Sequence, residues 1–193
     1  MEQLTLVDRI FRFRAANHII REILSYLKPN SKVLDIGSGS GIIAKQIEEK
    51  LGVKIALVDV VDKRRVNLPL TIYDGRKLPF ENKTFDAALL IFVLHHAEDP
   101  AGVLAEAKRV VKDKIIIYED IITRNPFDKI DSFLHGFAFN KTWNLQNEAT
   151  FKSEAEWKEI FKKLNLKIVK AYPLPIRARL FYPVYRMQFV LQV

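Results

Sequence analysis

Residues 33–41 read VLDIGSGSG, a short apolar run that leads into three glycines separated by serines. The run at 32–36 is typical of a buried strand, and residues 42–51 after the glycines have helical spacing. A strand, a glycine turn and a helix in this order form a nucleotide-binding turn, because glycine permits positive φ and close approach to a ligand. The sequence therefore predicts a ligand site at this turn.

The spacing of the glycines distinguishes two kinds of ligand. Dinucleotide-binding turns read G-x-G-x-x-G, whereas here Gly41 comes one residue early and Ile42 follows it. Asp35 precedes the first glycine; its carboxylate would repel a pyrophosphate but would accept a hydrogen bond from an ammonium group. The turn therefore suits a ligand with a cationic amino-acid end.

Strand-like and helix-like segments alternate along the chain. Strands are expected at 32–36, 54–59, 68–73, 85–93, 114–118, 166–172 and 185–193, and helices at 11–27, 42–51, 100–111 and 153–164. The alternation predicts an α/β fold with a parallel sheet and helices on both faces. The last two strands are separated by a short link, which predicts antiparallel neighbours.

The length suits a single domain over residues 1–193. Residues 1–30 form its N-terminal helical segment. Residues 124–150 show no clean period but contain several aromatic residues. We expect this insertion to be a substrate lid that encloses the acceptor and excludes water.

The composition limits the available chemistry. The chain has no cysteine, which excludes disulfides, thiolate metal sites and cysteine nucleophiles. The first residues lack the features of a signal peptide, and the longest apolar run, 87–94, is too short to span a bilayer. We therefore expect a cytoplasmic protein with no membrane span and no metal at its site.

The charge raises the question of a nucleic-acid partner. The formal net charge is +8, and residues 150–193 hold nine Lys or Arg against three Glu. A basic face can recruit RNA, an acidic substrate or a membrane surface. The alternative is a lysine-rich solvated surface, which we favour because no RNA-binding motif accompanies the charge.

Two further acidic residues are expected at the same sheet edge as the glycine turn. Asp59 ends the second predicted strand, 18 residues after Gly41, where an acid can accept both hydroxyls of a ribose. Asp74 follows the third predicted strand, where an acceptor can bind an adenine amino group. Asp62 competes for the ribose role, but we prefer Asp59 because the apolar run 55–58 leads directly into it.

These motifs follow one another in a characteristic order. Asp35-x-Gly37-x-Gly39-x-Gly41 is followed by Asp59, by Asp74-Gly75 with Leu78-Pro79-Phe80 and Phe85-Asp86, and by Leu94-His95-His96. Together they resemble the class I S-adenosylmethionine-dependent methyltransferases, in particular the small-molecule branch with the ubiquinone and menaquinone C-methyltransferases (type 11). The resemblance covers about residues 12–120 and implies a Rossmann-like, doubly wound sheet of seven strands with the last strand antiparallel.

The resemblance also implies where the cofactor, S-adenosyl-L-methionine, binds. Its methionine part would lie along residues 35–41, which include Asp35, Gly37, Ser38, Gly39 and Gly41. Asp59 would bind the ribose hydroxyls, and Val60 would pack on the adenine. The remaining contacts would come from Asp74 and Gly75 at the adenine edge and from Ile91 and Phe92 near the sulfonium. The family usually has a Lys-Pro-Gly-Gly type of turn where this chain has residues 111–114, so the length of that loop is open.

Catalytic residues are harder to identify, because methyl transfer is an in-line displacement from an activated donor and depends mainly on positioning and desolvation. A general base is needed only if the acceptor must lose a proton. His95, His96 and Glu119 follow the fourth and fifth predicted strands, and we take them as the candidate catalytic residues. Alternatively, the histidines cap a helix or pack on the cofactor, and Glu119 forms a salt bridge or caps a loop.

We therefore expect an S-adenosylmethionine-dependent methyltransferase that acts on a small-molecule acceptor. The alternatives are an RNA or protein methyltransferase that uses the basic C-terminal region, a nicotinamide-dependent oxidoreductase, and a non-catalytic S-adenosylmethionine-binding protein. Asp35 and the early Gly41 disfavour the oxidoreductase. The fourth strand ends without the Asn/Asp-Pro-Pro-aromatic motif usual in enzymes that methylate adenine or glutamine amino groups.

Overall fold

The computed structural model describes residues 17–123, 150–173 and 185–193. The strands are β1 (Lys32–Ile36), β2 (Lys54–Asp59), β3 (Leu70–Ile72), β4 (Phe85–Ile91), β5 (Val111–Ile121), β6 (Lys167–Pro173) and β7 (Tyr185–Gln192). The helices are α1 (17–24), α2 (Ile42–Leu51), α3 (Pro100–Val110) and α4 (Glu154–Lys163), with a 3-10 turn at Leu94–His96.

The seven strands form one sheet in the order β3-β2-β1-β4-β5-β7-β6. Strands β1 to β5 pair in parallel, and β7 is antiparallel to both β5 and β6. This confirms the predicted Rossmann-like fold and the antiparallel last strand. The order reverses between β1 and β4, and in open α/β sheets ligands bind at such a point, beyond the carboxyl ends of the strands.

Each face of the sheet is covered by helices, as predicted. On one face, α1 and α2 bury Ile20, Ile23 and Ile47 in a cluster with apolar residues of β1, β2, β4, β5 and β7. On the other, α3 and α4 bury Leu104 and Phe161. Strand β4 has apolar side chains buried on both faces, as is typical of a central strand of a parallel sheet.

The helix boundaries follow the predicted signals. Gly52 ends α2 in the left-handed conformation, with φ 67°, and its N–H donates to the carbonyl oxygen of Glu48. Ser153 and Glu156 form the predicted capping box at the start of α4. Local signals were therefore sufficient to place both helix ends.

The connection from α3 to β5 is shorter than expected. No loop separates them, because Val111 is extended and pairs with Phe85 at the start of β4. Strand β5 accordingly runs from Val111 to Ile121 rather than over 114–118. Residues 111–114, where the length of the loop was open, therefore belong to β5 and form no loop.

Some predictions fall outside the described residues. They concern residues 1–16 of the N-terminal segment and nearly all of the proposed lid at 124–150. Among the residues that the structure describes, no helix has both the length and the apolar composition required to cross a membrane.

Candidate active site

The glycine loop after β1 has a backbone that only glycine adopts without strain. Gly37, Gly39 and Gly41 have φ values of 68°, 53° and 70°. A Cβ atom on Gly37 would lie 2.6 Å from both γ-carbons of Val93, and one on Gly41 would lie 2.6 Å from a γ-carbon of Val66. A Cβ atom on Gly39 would meet no described atom within 4 Å. Two of the glycines thus allow packing beneath the loop, and the third borders space that no described atom fills.

Asp59 connects this loop to the end of β2. Its Oδ2 accepts a 2.8 Å hydrogen bond from the backbone N–H of Gly39, and its Oδ1 accepts one of 2.7 Å from the N–H of Val60. Asp62 instead interacts with Arg64, whose backbone N–H lies 3.2 Å from Oδ1 and whose Nε lies 3.3 Å from Oδ2. Of the two candidate acids, Asp59 is the one that contacts the glycine loop.

Asp35 lies below the loop and is only 4% exposed. Burial, and then repulsion by the Asp59 carboxylate, raise the pKa of Asp35 to about 7. A cationic group bound beside it would favour the ionised form and reverse this effect. The hydroxyl of Ser38 is also buried here and has no hydrogen-bond partner among the described residues.

The loop after β3 joins the same edge of the sheet. Tyr73 donates its backbone N–H to the carbonyl oxygen of Asp59 at 3.1 Å, and a Cβ atom on Gly75 would lie 3.3 Å from a γ-carbon of Val60. The Val60 side chain is 53% exposed. Asp74 accepts hydrogen bonds from the N–H groups of Arg76 and Lys77 at 2.9 and 3.0 Å. Asp59, Val60 and Gly75 therefore form one side of a contiguous site.

The pKa values of Asp74 and Tyr73, in the loop after β3, are shifted in opposite directions. The backbone N–H groups of Lys77 and Arg76 hold the pKa of Asp74 below its usual value. Burial, and then the negative charges of Asp59 and Asp74, raise the pKa of Tyr73 to about 12. Both carboxylates therefore contribute negative charge to this side of the site.

The end of β4 forms the other side. Ile91 is the last residue of the strand, and Phe92 has a φ of 56°, which costs a bulky residue about 1–3 kcal/mol. The N–H of Phe92 donates to the carbonyl oxygen of Tyr118 at 2.8 Å, and the guanidinium carbon of Arg186 lies 4.4 Å from its ring centre. Strained residues of this kind cluster at active sites.

Glu119, one of the candidate catalytic residues, is completely buried and faces the turn after β4. Its Oε1 accepts hydrogen bonds from the N–H groups of Val93 at 2.9 Å and Leu94 at 3.2 Å. Its Oε2 accepts from the backbone N–H of His95 at 3.1 Å and pairs with Nδ1 of the same residue at 2.7 Å. The carboxylate therefore binds the protein's own turn.

The two histidines lie in this turn. His95 is 2% exposed, and its ring stacks on Phe151 with centroids 5.1 Å apart and contacts the ring of His96 at 4.0 Å. Burial lowers the pKa of His95, but the charge and hydrogen bond of Glu119, together with the charge of Asp120, outweigh this effect and raise the pKa above its usual value. Its carbonyl oxygen accepts the N–H of Thr150 at 2.7 Å. His95 therefore also holds the chain at the point where the described structure resumes.

Sequence reasoning missed a polar row on the α1 face of the sheet. Asp120 accepts a 2.7 Å hydrogen bond from Nε of Arg186, and the Tyr118 hydroxyl accepts one of 2.5 Å from Nε2 of Gln188. The pattern of β7 contained a signal, because Arg186 and Gln188 occupy the positions between its apolar residues. Only the pairing of β7 with β5 identifies their partners.

The residues at this edge fit S-adenosylmethionine. No described atom fills the space beside Gly39, and the buried Ser38 hydroxyl lacks a hydrogen-bond partner among the described residues. The carboxylates of Asp35 and Asp59 match a cationic amino-acid end and a ribose. The exposed Val60 side chain offers an apolar surface for an adenine. The same residues suit a pyrophosphate poorly, because the carboxylates of Asp35 and Asp59 lie beside the loop and would repel its negative charge.

Comparisons with known proteins agree with this geometry. Residues 9–171 match a family described as a methyltransferase domain. An uncharacterized protein of Methanocaldococcus jannaschii is 37% identical over 149 residues, which cover 74% of this chain and 68% of that protein. The demethylmenaquinone methyltransferase of Corynebacterium kroppenstedtii is 37% identical over 89 residues, or 44% of this chain. The match spans only 39% of that enzyme's length.

Solved structures share the fold. The PH0226 protein of Pyrococcus horikoshii has a TM-score of 0.69 at 21% identity, over 93% of this chain and 90% of that one. A methyltransferase of Haloferax volcanii, solved in complex with the activator Trm112, has a TM-score of 0.71 at 15% identity, over 96% and 94% of the two chains. The chain thus belongs to the class I S-adenosylmethionine-dependent methyltransferase family.

Proposed function

We propose that this methyltransferase transfers a methyl group to a small-molecule acceptor, with S-adenosylmethionine held by the glycine loop, Asp59 and the end of β4. The observation that carries the proposal is the bond from the Gly39 N–H to Asp59, which aligns the loop and the ribose-binding carboxylate before any ligand is bound. Preorganised groups of this kind lower the entropic cost of binding.

Each part of the site has a proposed role. Asp35 and Ser38 bind the methionine end, Asp59 binds the ribose hydroxyls, and Val60 packs on the adenine. The edge of the adenine faces Gly75 and Asp74, whose Oδ1 already accepts two backbone N–H groups.

Chemistry at the site depends mainly on orientation. Bound S-adenosylmethionine supplies a methyl group on a positively charged sulfur, which needs no further activation. Ile91 and Phe92 border the proposed acceptor position, where their apolar side chains exclude water and so favour in-line displacement. His96 is the remaining candidate for a general base, since His95 and Glu119 bind each other within the turn after β4.

The small-molecule acceptor is supported by the relatives. Those with a named activity include demethylmenaquinone methyltransferases and ubiquinone/menaquinone C-methyltransferases, whose named acceptors are small quinone-type molecules. A single domain over residues 1–193 with a lid at 124–150, and a cytoplasmic location, remain predictions from the sequence.

A thermal-shift measurement tests the cofactor part of the proposal. S-adenosylmethionine and S-adenosylhomocysteine should stabilise the protein, whereas NAD and NADP should not. Stabilisation by NAD or NADP alone would refute it. The acceptor is then sought by measuring S-adenosylhomocysteine release with a panel of quinols, phenols and carboxylic acids.

Modification of RNA or protein is the alternative, and exposed lysines in α4 and β6 favour it. They are Lys158, Lys162, Lys163, Lys167 and Lys170. A gel shift with RNA that weakens steeply with salt would support this alternative. Turnover with a small molecule and no RNA binding at low salt would exclude RNA as the acceptor.

A further inference from the structure

The turn after β4, residues 92–96, lies between the glycine loop and strand β5. Its contact with the glycine loop is made by Val93, whose two γ-carbons occupy the space where a Cβ atom of Gly37 would stand. Its contact with β5 is made by Glu119, which accepts four hydrogen bonds from three consecutive residues. A shift of the turn therefore changes the packing of Val93 against Gly37.

We propose that Glu119 is a positioning residue for the cofactor: by holding the turn after β4 against Gly37, it sets the affinity for the methionine end of S-adenosylmethionine. The inference rests on the proposed function, which assigns that end to the glycine loop. Glu119 itself is completely buried and contacts the turn, so its effect is transmitted through Val93.

The hydrogen-bond pattern explains why a carboxylate is needed at this position. Each oxygen of Glu119 accepts from two donors, and all four donors are N–H groups. In Glu119→Gln one oxygen becomes an NH2 group, which donates and cannot accept. If the NH2 group replaces Oε1, the N–H groups of Val93 and Leu94 lose their acceptor in a buried site. If it replaces Oε2, the backbone N–H of His95 loses its acceptor, while Nδ1 of a neutral His95 ring can accept from the NH2 group. In either case the turn must move to regain partners.

The same turn also contacts residues 150 and 151, where the described part of the chain resumes. The His95 carbonyl oxygen accepts the Thr150 N–H, and its ring stacks on Phe151. His95 is in turn fixed by its 2.7 Å bond to Glu119. Glu119 therefore holds one turn that contacts both Gly37 and residues 150–151.

The experiment compares two ligands by isothermal titration calorimetry. S-adenosylhomocysteine carries the amino-acid end, whereas 5′-methylthioadenosine has the same adenosine without it. Glu119→Gln should weaken S-adenosylhomocysteine binding about tenfold, the loss expected for charge-assisted hydrogen bonds, and should change methylthioadenosine binding less than twofold. A purely structural role would weaken both ligands alike.

Two further variants complete the test. Val93→Ala removes the methyl groups that contact Gly37 without disturbing a buried charge, so it should reproduce the selective loss even if Glu119→Gln does not fold. Asp86→Asn is the matched control, because Asp86 accepts the Lys32 N–H at the opposite end of β4; it should leave both affinities unchanged.

The outcomes separate the two proposals. Failure of the unmodified protein to bind S-adenosylhomocysteine would refute the cofactor site itself. Normal binding by the unmodified protein, together with unchanged S-adenosylhomocysteine affinity in Glu119→Gln or Val93→Ala, would refute the positioning role alone. Equal weakening of both ligands would also refute it.

Discussion

The backbone N–H of Gly39 lies 2.8 Å from Oδ2 of Asp59, so that the glycine loop after β1 and the acid that ends β2 form one unit. The two residues are 20 positions apart in the chain and are brought together because parallel β1 and β2 end at the same edge. The geometry of the proposed ligand site is therefore built into the fold.

The first prediction concerns steric access at Gly39. Gly39→Ala should abolish detectable S-adenosylhomocysteine binding, because the added methyl group enters the space left for the ligand. Gly52→Ala is its matched control: Gly52 also has a positive φ of 67° with no described atom within 4 Å of an added Cβ, but it ends α2. Each variant should lose about 1–2 kcal/mol of stability, the cost of a Cβ atom in the left-handed conformation, measured by urea unfolding. Equal ligand binding by the two variants would contradict this account.

The second prediction concerns pH. Because burial raises the pKa of Asp35 to about 7, the folded state favours its protonated form, and this contribution to stability is lost as pH rises from about 4 to about 7. Asp35→Asn cannot ionise at this position and does not lose this contribution. The free energy of unfolding of the variant, relative to that of the unmodified protein, should therefore rise by about 2 kcal/mol from pH 5 to pH 8. Urea unfolding at both pH values measures this gain.

Asp86→Asn provides the control for the pH experiment. The Lys32 N–H holds the pKa of Asp86 below its usual value, so Asp86 stays ionised across this range in both states. Its stability difference from the unmodified protein should therefore be the same at pH 5 and pH 8. A parallel response of the two variants would rule out the buried acid as the cause.

The third prediction concerns the buried ion pair beside Phe92. Arg186→Met leaves the Asp120 carboxylate, which is 1% exposed, without the Nε partner that lies at 2.7 Å, and should cost about 3 kcal/mol of stability. The double variant with Asp120→Asn should recover part of this loss, because the buried charge is also removed. Lys112→Met, which breaks an exposed pair with Asp86, should cost less than about 1 kcal/mol. Equal losses for Arg186→Met and Lys112→Met would refute the argument.

Local sequence signals predicted much of this molecule. The glycine loop, the alternation of strands and helices, and the acid at the end of β2 are all features of short segments. Gly52 and the Ser153–Glu156 box fixed helix ends for the same reason.

Features that depend on distant residues were not predictable in this way. The four bonds of Glu119 join residues 24 to 26 positions apart, and the contact of Val93 with Gly37 requires β4 to lie beside β1. The strain at Phe92 likewise depends on its bond to Tyr118. The sequence therefore indicates Glu119 as a candidate site residue but does not indicate its hydrogen-bond partners.

The most direct test of the cofactor site is the dissociation constant of S-adenosylhomocysteine for the unmodified protein, Asp59→Ala and Asp62→Ala, measured by calorimetry. Asp59→Ala should weaken binding about 100-fold, since it removes a charged acceptor for two hydroxyls and the bond to Gly39. Asp62→Ala, which removes the contacts with Arg64 and leaves the bond between Asp59 and Gly39 in place, should bind within twofold of the unmodified protein. Unchanged binding by Asp59→Ala, or a loss confined to Asp62→Ala, would contradict the account.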